Sequence, residues 1–207
     1  MRKGIFITFE GGDGCGKTTI INMLKEKLKS IGRDVLIPRE PGATLIGEQI
    51  RDILLDRENK NMTERTELLL YEASRAQNCF EVIMPALKEG RVVLCDRFYD
   101  SSIAYQGYGR GMDIESIKKI NKFASFNVVP DKTILLVRDS VDAGLNDASK
   151  KGGSDRLELE GHDFHTRVLH GFLEISKEDP NRWETVKFDK DKNVTFNRVW
   201  DKIKELF

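Results

Sequence analysis

Short apolar runs alternate along the chain with longer segments in which apolar residues recur at helical spacing. Ile5-Phe6-Ile7-Thr8-Phe9 is the first run, short and apolar enough for a buried strand, and glycines follow it at once. Ile20, Ile21, Leu24, Leu28 and Ile31 then repeat with helical spacing, and Gly32 predicts the stop of that helix. Val35-Leu36-Ile37 predicts a second strand closed by Pro38. Helices are expected over 45–55 and over 63–87, the latter with a kink or break at Pro85. Val92-Val93-Leu94-Cys95 reads as a third strand ending at Asp96. Beyond it the pattern predicts a helix over 114–123, a strand over 133–137 and a short helix over 141–148. A helix over 162–176, a strand over 183–188 and a last helix from about Val194 complete it. Lys150-Lys151-Gly152-Gly153-Ser154 has the composition of a mobile surface loop. Such alternation predicts an α/β fold around a parallel sheet. No linker, repeat or low-complexity tract interrupts it, so one domain over 1–207 is expected.

Composition narrows the class without naming a function. A chain of 207 residues buries a sufficient core without disulfides or structural metal, and 39% hydrophobic residues exclude a wholly disordered one. Lys+Arg and Asp+Glu both number 34, so there is no net field to recruit nucleic acid or an anionic membrane. An anionic ligand must be held by local clusters instead. No apolar run approaches a bilayer span, and Met1-Arg2-Lys3-Gly4 leads straight into a strand pattern, which predicts a cytoplasmic protein. Cys15, Cys79 and Cys95 form neither a disulfide framework nor a metal-knuckle spacing.

The first strand, the glycines and the helix after them carry the clearest chemistry. Gly11-Gly12-Asp13-Gly14-Cys15-Gly16-Lys17-Thr18 satisfies the phosphate-loop pattern G-x-x-x-x-G-K-[ST] in its proper context, and Thr19 follows. Backbone N–H groups of such a loop turn inward on phosphate oxygens, reinforced by the helix N-terminus. Lys17 is expected to reach the β- and γ-phosphates, with the Thr18 hydroxyl on Mg²⁺. Asp96, at the end of the third strand, is expected to share that metal. Cys15 reads as a small filler in preference to a redox switch.

Three further clusters bear on a second anion. Arg39-Glu40-Pro41-Gly42 follows the second strand, Arg75 lies on the long helix, and Asp96-Arg97 follows the third strand. Strand ends of an open α/β sheet are where ligands sit, and guanidinium forks grip phosphate bidentately. Arg39, Arg75 and Arg97 are therefore expected to converge on a monophosphate. Two phosphate sites point to a kinase acting on a phosphorylated acceptor.

The chain resembles the bacterial type of thymidylate kinase, a P-loop nucleoside monophosphate kinase family. Phe9-Glu10-Gly11-Gly12-Asp13-Gly14, Arg39-Glu40-Pro41-Gly42, Ser74-Arg75-Ala76-Gln77, Asp96-Arg97 through Ser102, Ala104-Tyr105-Gln106-Gly107, and Asp155-Arg156 with Glu158 carry the resemblance over nearly the whole length. It implies a three-layer α/β/α sandwich with a mobile lid at about 146–160. The implied reaction converts ATP and dTMP to ADP and dTDP with Mg²⁺, in dTTP biosynthesis, in a homodimer joined through the long helices. It also implies roles: Asp13 positions the acceptor sugar and its phosphate, and Arg39 and Arg97 hold that phosphate. Tyr71 stacks on thymine, Arg75 hydrogen-bonds the base, Ser102 and Gln106 complete the base contacts, and Tyr105 packs on the deoxyribose. Read from the residues alone, Tyr71 and Tyr105 fit ordinary core packing as well.

The sequence departs from the family in two places. The phosphate loop carries Cys15 where other members place an arginine, so the lid must supply the catalytic cation. Yet Asn146, Asp147 and Ser149 stand at basic lid positions and Lys151 is the sole basic match, followed by Asp155-Arg156. Lys151 and Arg156 are therefore the candidate lid cations. Arg138 stands where the family usually has an aspartate. A related kinase with another acceptor such as dUMP, or a nucleotide-binding protein with weakened catalysis, are the alternatives. His162, His165 and His170 share one helix, and a solvated or lid-packing face fits them better than a metal site.

Overall fold

A computed structural model describes residues 4–138, 140–149 and 155–207. Five strands, β1 (Ile5–Glu10), β2 (Val35–Leu36), β3 (Val92–Asp96), β4 (Lys132–Val137) and β5 (Trp183–Lys187), form one parallel sheet in the order β2-β3-β1-β4-β5. The central strand β1 pairs Ile7 with Leu94 of β3 and with Lys132 of β4. Parallel strands need crossovers, and helices supply them on both faces. These are α1 (Lys17–Ser30), α2 (Leu45–Leu55), α3 (Glu64–Asn78), α4 (Met84–Lys88), α5 (Tyr99–Ser102), α6 (Ile114–Ala124), α7 (Val141–Ser149), α8 (His162–Glu178) and α9 (Lys192–Ile203). The α/β fold around a parallel sheet expected from the alternation is the architecture found, and it has the layers of the sandwich that the resemblance implies.

Side chains alternate across the sheet, as the period of a strand demands. Ile7, Phe9, Leu94, Ile134 and Leu136 join α1 and α9 in one core. On the opposite face Phe6, Val93 and Cys95 pack with Ile83 and Phe98, while Leu135 packs with Phe164, Val168 and Phe172 of α8. With both faces covered, the loops after β1, β2, β3 and β4 are left together at the carboxyl edge, where this class of sheet binds ligands.

Two segments differ from the sequence pattern. The helix expected over 63–87 is broken earlier than Pro85: a π-helical turn at Cys79–Ile83 separates α3 from α4. Pro85 has no N–H and its ring presses on the carbonyl four residues back, and the wider turn just before it absorbs the misfit. The second is α5 with the π-helical turn Ile103–Gly109 that continues it. Residues 102–107 are all buried, so no polar face exists to betray a helical period.

Candidate active site

The phosphate loop connects β1 to α1 and is shaped by its neighbours. Gly11 has φ +130°, and a side chain there would strike the Leu136 carbonyl of the adjacent strand. Lys17 tucks its Nζ onto the carbonyls of Gly11 and Gly12 at 3.1 and 3.0 Å, and it lies 3.6 Å from Cys15 Sγ. Cys15 is buried under the loop, in the space of a small filler. Thr18 and Thr19 are exposed at the start of α1, and the Thr18 hydroxyl donates to Asp96 Oδ2 at 2.9 Å. A cavity of about 440 Å³ opens here, lined by Asp13, Gly14, Lys17, Thr18, Arg39, Asp96 and Arg97 among others.

The turn after β3 brings the acid of the loop to an arginine. Arg97 holds φ +70°, an unfavourable conformation for a residue with a side chain, and it is fixed from several sides. Its N–H donates to the Phe9 carbonyl, Cys95 Sγ donates to its carbonyl, and the next N–H, of Phe98, donates to Glu10 Oε1 at 2.8 Å. Ser101 Oγ donates to the other Glu10 oxygen at 2.6 Å. Burial, helped by the nearby Asp100 carboxylate, pushes the Glu10 carboxyl up to about 7. Held this way, the Arg97 guanidinium donates to Gly11 O at 3.0 Å and to Asp13 Oδ1 at 2.6 Å, and it lies 5.1 Å over the Tyr105 ring. Tyr105 OH donates to Asp13 Oδ2 at 3.2 Å. Burial alone would raise the Asp13 carboxyl, but Arg97 and Lys17 outweigh it and hold it below the ordinary carboxylate value.

A second cavity, of about 170 Å³, lies beyond Arg97, with Tyr71, Ser102, Tyr105 and Gln106 on its walls. Asp13, Glu40, Arg51, Arg97 and Glu158 line both cavities, so the two meet at a wall that carries two guanidinium groups. Of the three arginines expected to converge, Arg39 and Arg97 line the first cavity, whereas Arg75 lines neither. Arg75 is 1% exposed, and its guanidinium is taken by Glu40, Glu72, Ser102 and Asn121. Two buried carboxylates need a cation, and Arg75 supplies it. It touches the second cavity through Ser102 and Glu40, which line it. Arg51 of α2 takes the third place, its Nη1 on the Pro41 carbonyl at 3.0 Å. Burial, with Arg39 close by, lowers the pKa of Arg51.

The lid residues divide into three parts. Asn146 and Asp147 belong to α7, and Lys151 lies outside the described residues, together with the rest of 150–154. Asp155 caps the N–H groups of Leu157 and Glu158, and the turn from 155 onward roofs the second cavity. Arg156, expected as a lid cation, is not brought to the phosphate loop. Its Nε donates to the Leu54 carbonyl at 3.0 Å and its Nη1 pairs with Glu67 at 2.6 Å. Glu67 is buried and also accepts from Gln106 and Arg110, so the carboxylate draws Arg156 inward. His165 is buried beside the phosphate loop while His162 and His170 are exposed, and no cluster of metal-ligating side chains occurs among the described residues.

Residues that sequence reasoning left without a role are Glu10, Arg51, Glu67 and Glu158. Glu10 and Glu158 stand within the family-like motifs, and Glu10, beside the loop in a strand otherwise apolar but for Thr8, carried a legible signal. Arg51 sits on a helix face like any solvated arginine, so no pattern marks it. Burial, with Asp155 and Asp13 close by, raises the Glu158 carboxyl.

Strand, glycine loop and helix on a parallel sheet, with an adjoining second cavity, define a P-loop NTPase fold. The Thymidylate kinase family model matches residues 9–199. A thymidylate kinase of Pelotomaculum thermopropionicum is 49% identical over 186 residues, covering 89% of this chain and 85% of the relative. One of Bacillus velezensis is 44% identical over 208 residues, covering 98% and 96%. The crystal structure of thymidylate kinase from Ehrlichia chaffeensis superposes with a TM-score of 0.80 at 34% identity, covering 99% of this chain and 100% of that one. The chain belongs to the thymidylate kinase family.

Proposed function

We propose that the chain transfers the γ-phosphoryl group of ATP to the phosphate of dTMP, giving ADP and dTDP for dTTP synthesis. The observation that carries this is the shared wall: Asp13, Arg51 and Arg97 face a phosphate loop on one side and a base-sized cavity on the other. An oxygen of the acceptor phosphate attacks the γ-phosphorus in line while the bond to the ADP oxygen breaks, and no covalent intermediate with the protein is needed. Gly11 to Thr19 hold the triphosphate, with Lys17 leaving its loop carbonyls for phosphate oxygens. Arg97, with Arg51 and Arg39, holds the acceptor phosphate and offsets charge on the transferring group. Asp13 keeps Arg97 and Tyr105 aligned and faces the acceptor sugar.

Tyr71 stacks on the base, Ser102 and Gln106 hydrogen-bond it, and Arg75 serves base recognition through its bond to Ser102. Lys151 supplies the lid cation, and Arg156 holds the roof through Glu67. The Thr18 hydroxyl and Asp96 carboxylate, 2.9 Å apart at the loop, are the hard oxygen donors Mg²⁺ takes. Thr18 and Asp96 would hold Mg²⁺ there, where its charge would offset that of the β- and γ-phosphates.

We read residues 1–207 as one kinase domain, with its lid at about 146–160, acting in the cytoplasm; among the described residues no helix is long and apolar enough to cross a membrane. A homodimer through the long helices is supported by four exposed apolar residues, Leu69 on α3, Phe80 in the π-helical turn after it, Phe123 on α6 and Phe126 just beyond its end. A coupled ADP-release assay with dTMP, dUMP, UMP, dCMP, dGMP and AMP tests the reading. dTMP is expected to give the highest kcat/KM, and a preference for dUMP or no acceptor-dependent turnover would overturn it.

A further inference from the structure

Arg138 follows β4 and reaches the outer side of the phosphate loop, where the family resemblance leads one to expect an acid. Its Nη1 donates to the Gly14 carbonyl at 2.7 Å and to Asp147 Oδ2 of α7 at 2.8 Å. Its guanidinium lies 4.4 Å over the ring of Phe188, the residue just after β5. Phe188 in turn lies against Gly16, so close that a side chain at Gly16 would meet the ring edge at 3.1 Å. One side chain thus ties together the middle of the loop, the helix leading into the lid and the ring covering the entry to α1. It is 13% exposed, whereas Asp147 is 45% exposed, so the fork is fixed mainly by loop and ring and not by the ion pair.

The cavity holding the triphosphate loop does not include Arg138 among its lining residues. Arg138 instead lines a cavity shared with Gly12, Asp13 and Cys15 of the loop, and another of about 490 Å³ shared with Lys187, Phe188, Lys190 and Arg198. Its tie to the donor site runs through the Gly14 carbonyl, which it holds at 2.7 Å. The loop holds anions with backbone N–H groups, whose directions depend on the orientation of each peptide plane. A carbonyl fixed outward on a guanidinium sets the plane whose N–H belongs to the next residue, Cys15. Gly14 itself holds φ +68°, a conformation that glycine adopts without a Cβ penalty.

We propose that Arg138 is a donor-positioning residue: by gripping the Gly14 carbonyl and clamping Phe188 over Gly16, it pre-sets the phosphate loop for the triphosphate. The proposal rests on the donor-site reading given above. It accounts for a half-buried cation beside the loop in a chain whose lid has few cations. Guanidinium is the group the site requires, because a flat fork can hydrogen-bond a carbonyl and stack on a ring at once, which an ammonium does not.

The test compares Arg138→Ala, Arg138→Lys and Asp147→Asn with the unmodified protein, using initial rates against each substrate and a direct titration with a fluorescent ATP analogue without acceptor. Arg138→Ala is expected to weaken the ATP analogue and raise the ATP KM by about tenfold, the loss of one charge-assisted hydrogen bond. The dTMP KM is expected to stay within about twofold. Arg138→Lys keeps a donor for Gly14 but loses the stack, and is expected to fall between; Asp147→Asn is expected to leave ATP affinity nearly unchanged. Equal rises in both KM values, or an unchanged ATP affinity in Arg138→Ala, would overturn the proposal. A lower melting temperature with both constants unchanged would overturn it too, since Arg138 would then be scaffold alone. Should Arg138→Ala fail to fold, the lysine variant decides: ATP affinity equal to the unmodified protein's refutes the proposal. The analogue titration does not depend on acceptor chemistry, so the dTMP-dependent turnover of the unmodified protein checks the underlying donor reading separately.

Discussion

Behind the walls of the acceptor cavity, charged side chains hold one another. Arg75 is fixed by Glu40 and Glu72, and Glu67 gathers Gln106, Arg110 and Arg156, all at or below the surface. The donor loop is different: Thr18 and Thr19 face solvent, and Lys17 rests on loop carbonyls that a phosphate has to replace. The proposed acceptor pocket is therefore shaped before its ligand arrives, with Ser102 and Gln106, the proposed base contacts, held by buried Glu72 and Glu67. The donor cradle is made of peptide N–H groups and completes its hydrogen bonds only with the triphosphate present. Selectivity belongs on the preformed side, because buried polar groups left without a partner penalise a wrong base. Affinity for a common donor can rest on a cradle whose peptide directions are held from outside, as Arg138 holds the Gly14 carbonyl, and whose N–H groups await the ligand.

Lys17→Ala is the severest test of the donor half. Removing one preorganised cation from the transferring group is expected to lower kcat by about 10²–10³-fold or more. Thermal stability should hardly change, since the lost bonds are to loop carbonyls that water can reach on one side. Initial rates and a melting curve on the same preparation check both. A large fall in melting temperature would mean that the loop, too, is locked by its own side chains, and the contrast would fail.

Arg75→Ala probes the acceptor half and should behave in the opposite way. Two buried carboxylates lose their cation, a loss of about 3–5 kcal/mol for a broken buried pair. A melting temperature lower by on the order of 10 °C is expected for a chain of this length. The dTMP affinity should fall with it, as Ser102 and Glu40 lose their common partner, while binding of an ATP analogue persists. A variant that melts normally and loses only dTMP affinity would show Arg75 acting on the base directly, not as the hub of a buried network.

This contrast also governs what was legible in the sequence. The donor side is local: a strand, six loop residues and a helix are contiguous, so Gly11 to Thr19 and their chemistry are readable in one line. Strands β1 to β4 were likewise legible from their apolar runs, whereas β5 mixes Trp183 and Val186 with Glu184, Thr185 and Lys187. The acceptor side is assembled from α2, α3, the turn after β3, the π-helical turn and the roof at 155–158, which meet only through tertiary packing. Position on the long helix placed Arg75, and the family resemblance placed Arg156, among ligand-facing cations, because a guanidinium on a helix or in a loop carries no mark of the carboxylate it will meet. Glu67 and Glu40, the carboxylates that withdraw them, are separated from their partners by many residues and several elements. Arg51 was invisible for the converse reason: nothing distinguishes a helix arginine facing a cavity from one facing water.

Arg39 and Arg51 stand on the border between the two halves, and comparing them gives the smallest and finest prediction. Arg39 is more than half exposed and pairs with Glu48 at 2.8 Å, whereas Arg51 is half-buried on the wall common to both cavities. Exposed pairs are worth roughly 0–1 kcal/mol and are screened over about 10 Å at 0.1 M salt, while a desolvated guanidinium is screened less. Arg39→Ala is therefore expected to raise the dTMP KM by no more than about fivefold, an effect that fades as salt is raised. Arg51→Ala should raise it by about tenfold or more and keep most of that effect in high salt, since its contact with a phosphate would be a charge-assisted bond in a partly dry wall. Measuring KM for dTMP and for ATP at low and high ionic strength separates the two. If Arg39 proves the larger and salt-resistant contribution, the acceptor phosphate lies nearer the open loop than the shared wall implies. The preformed half of the site would then end at Arg97.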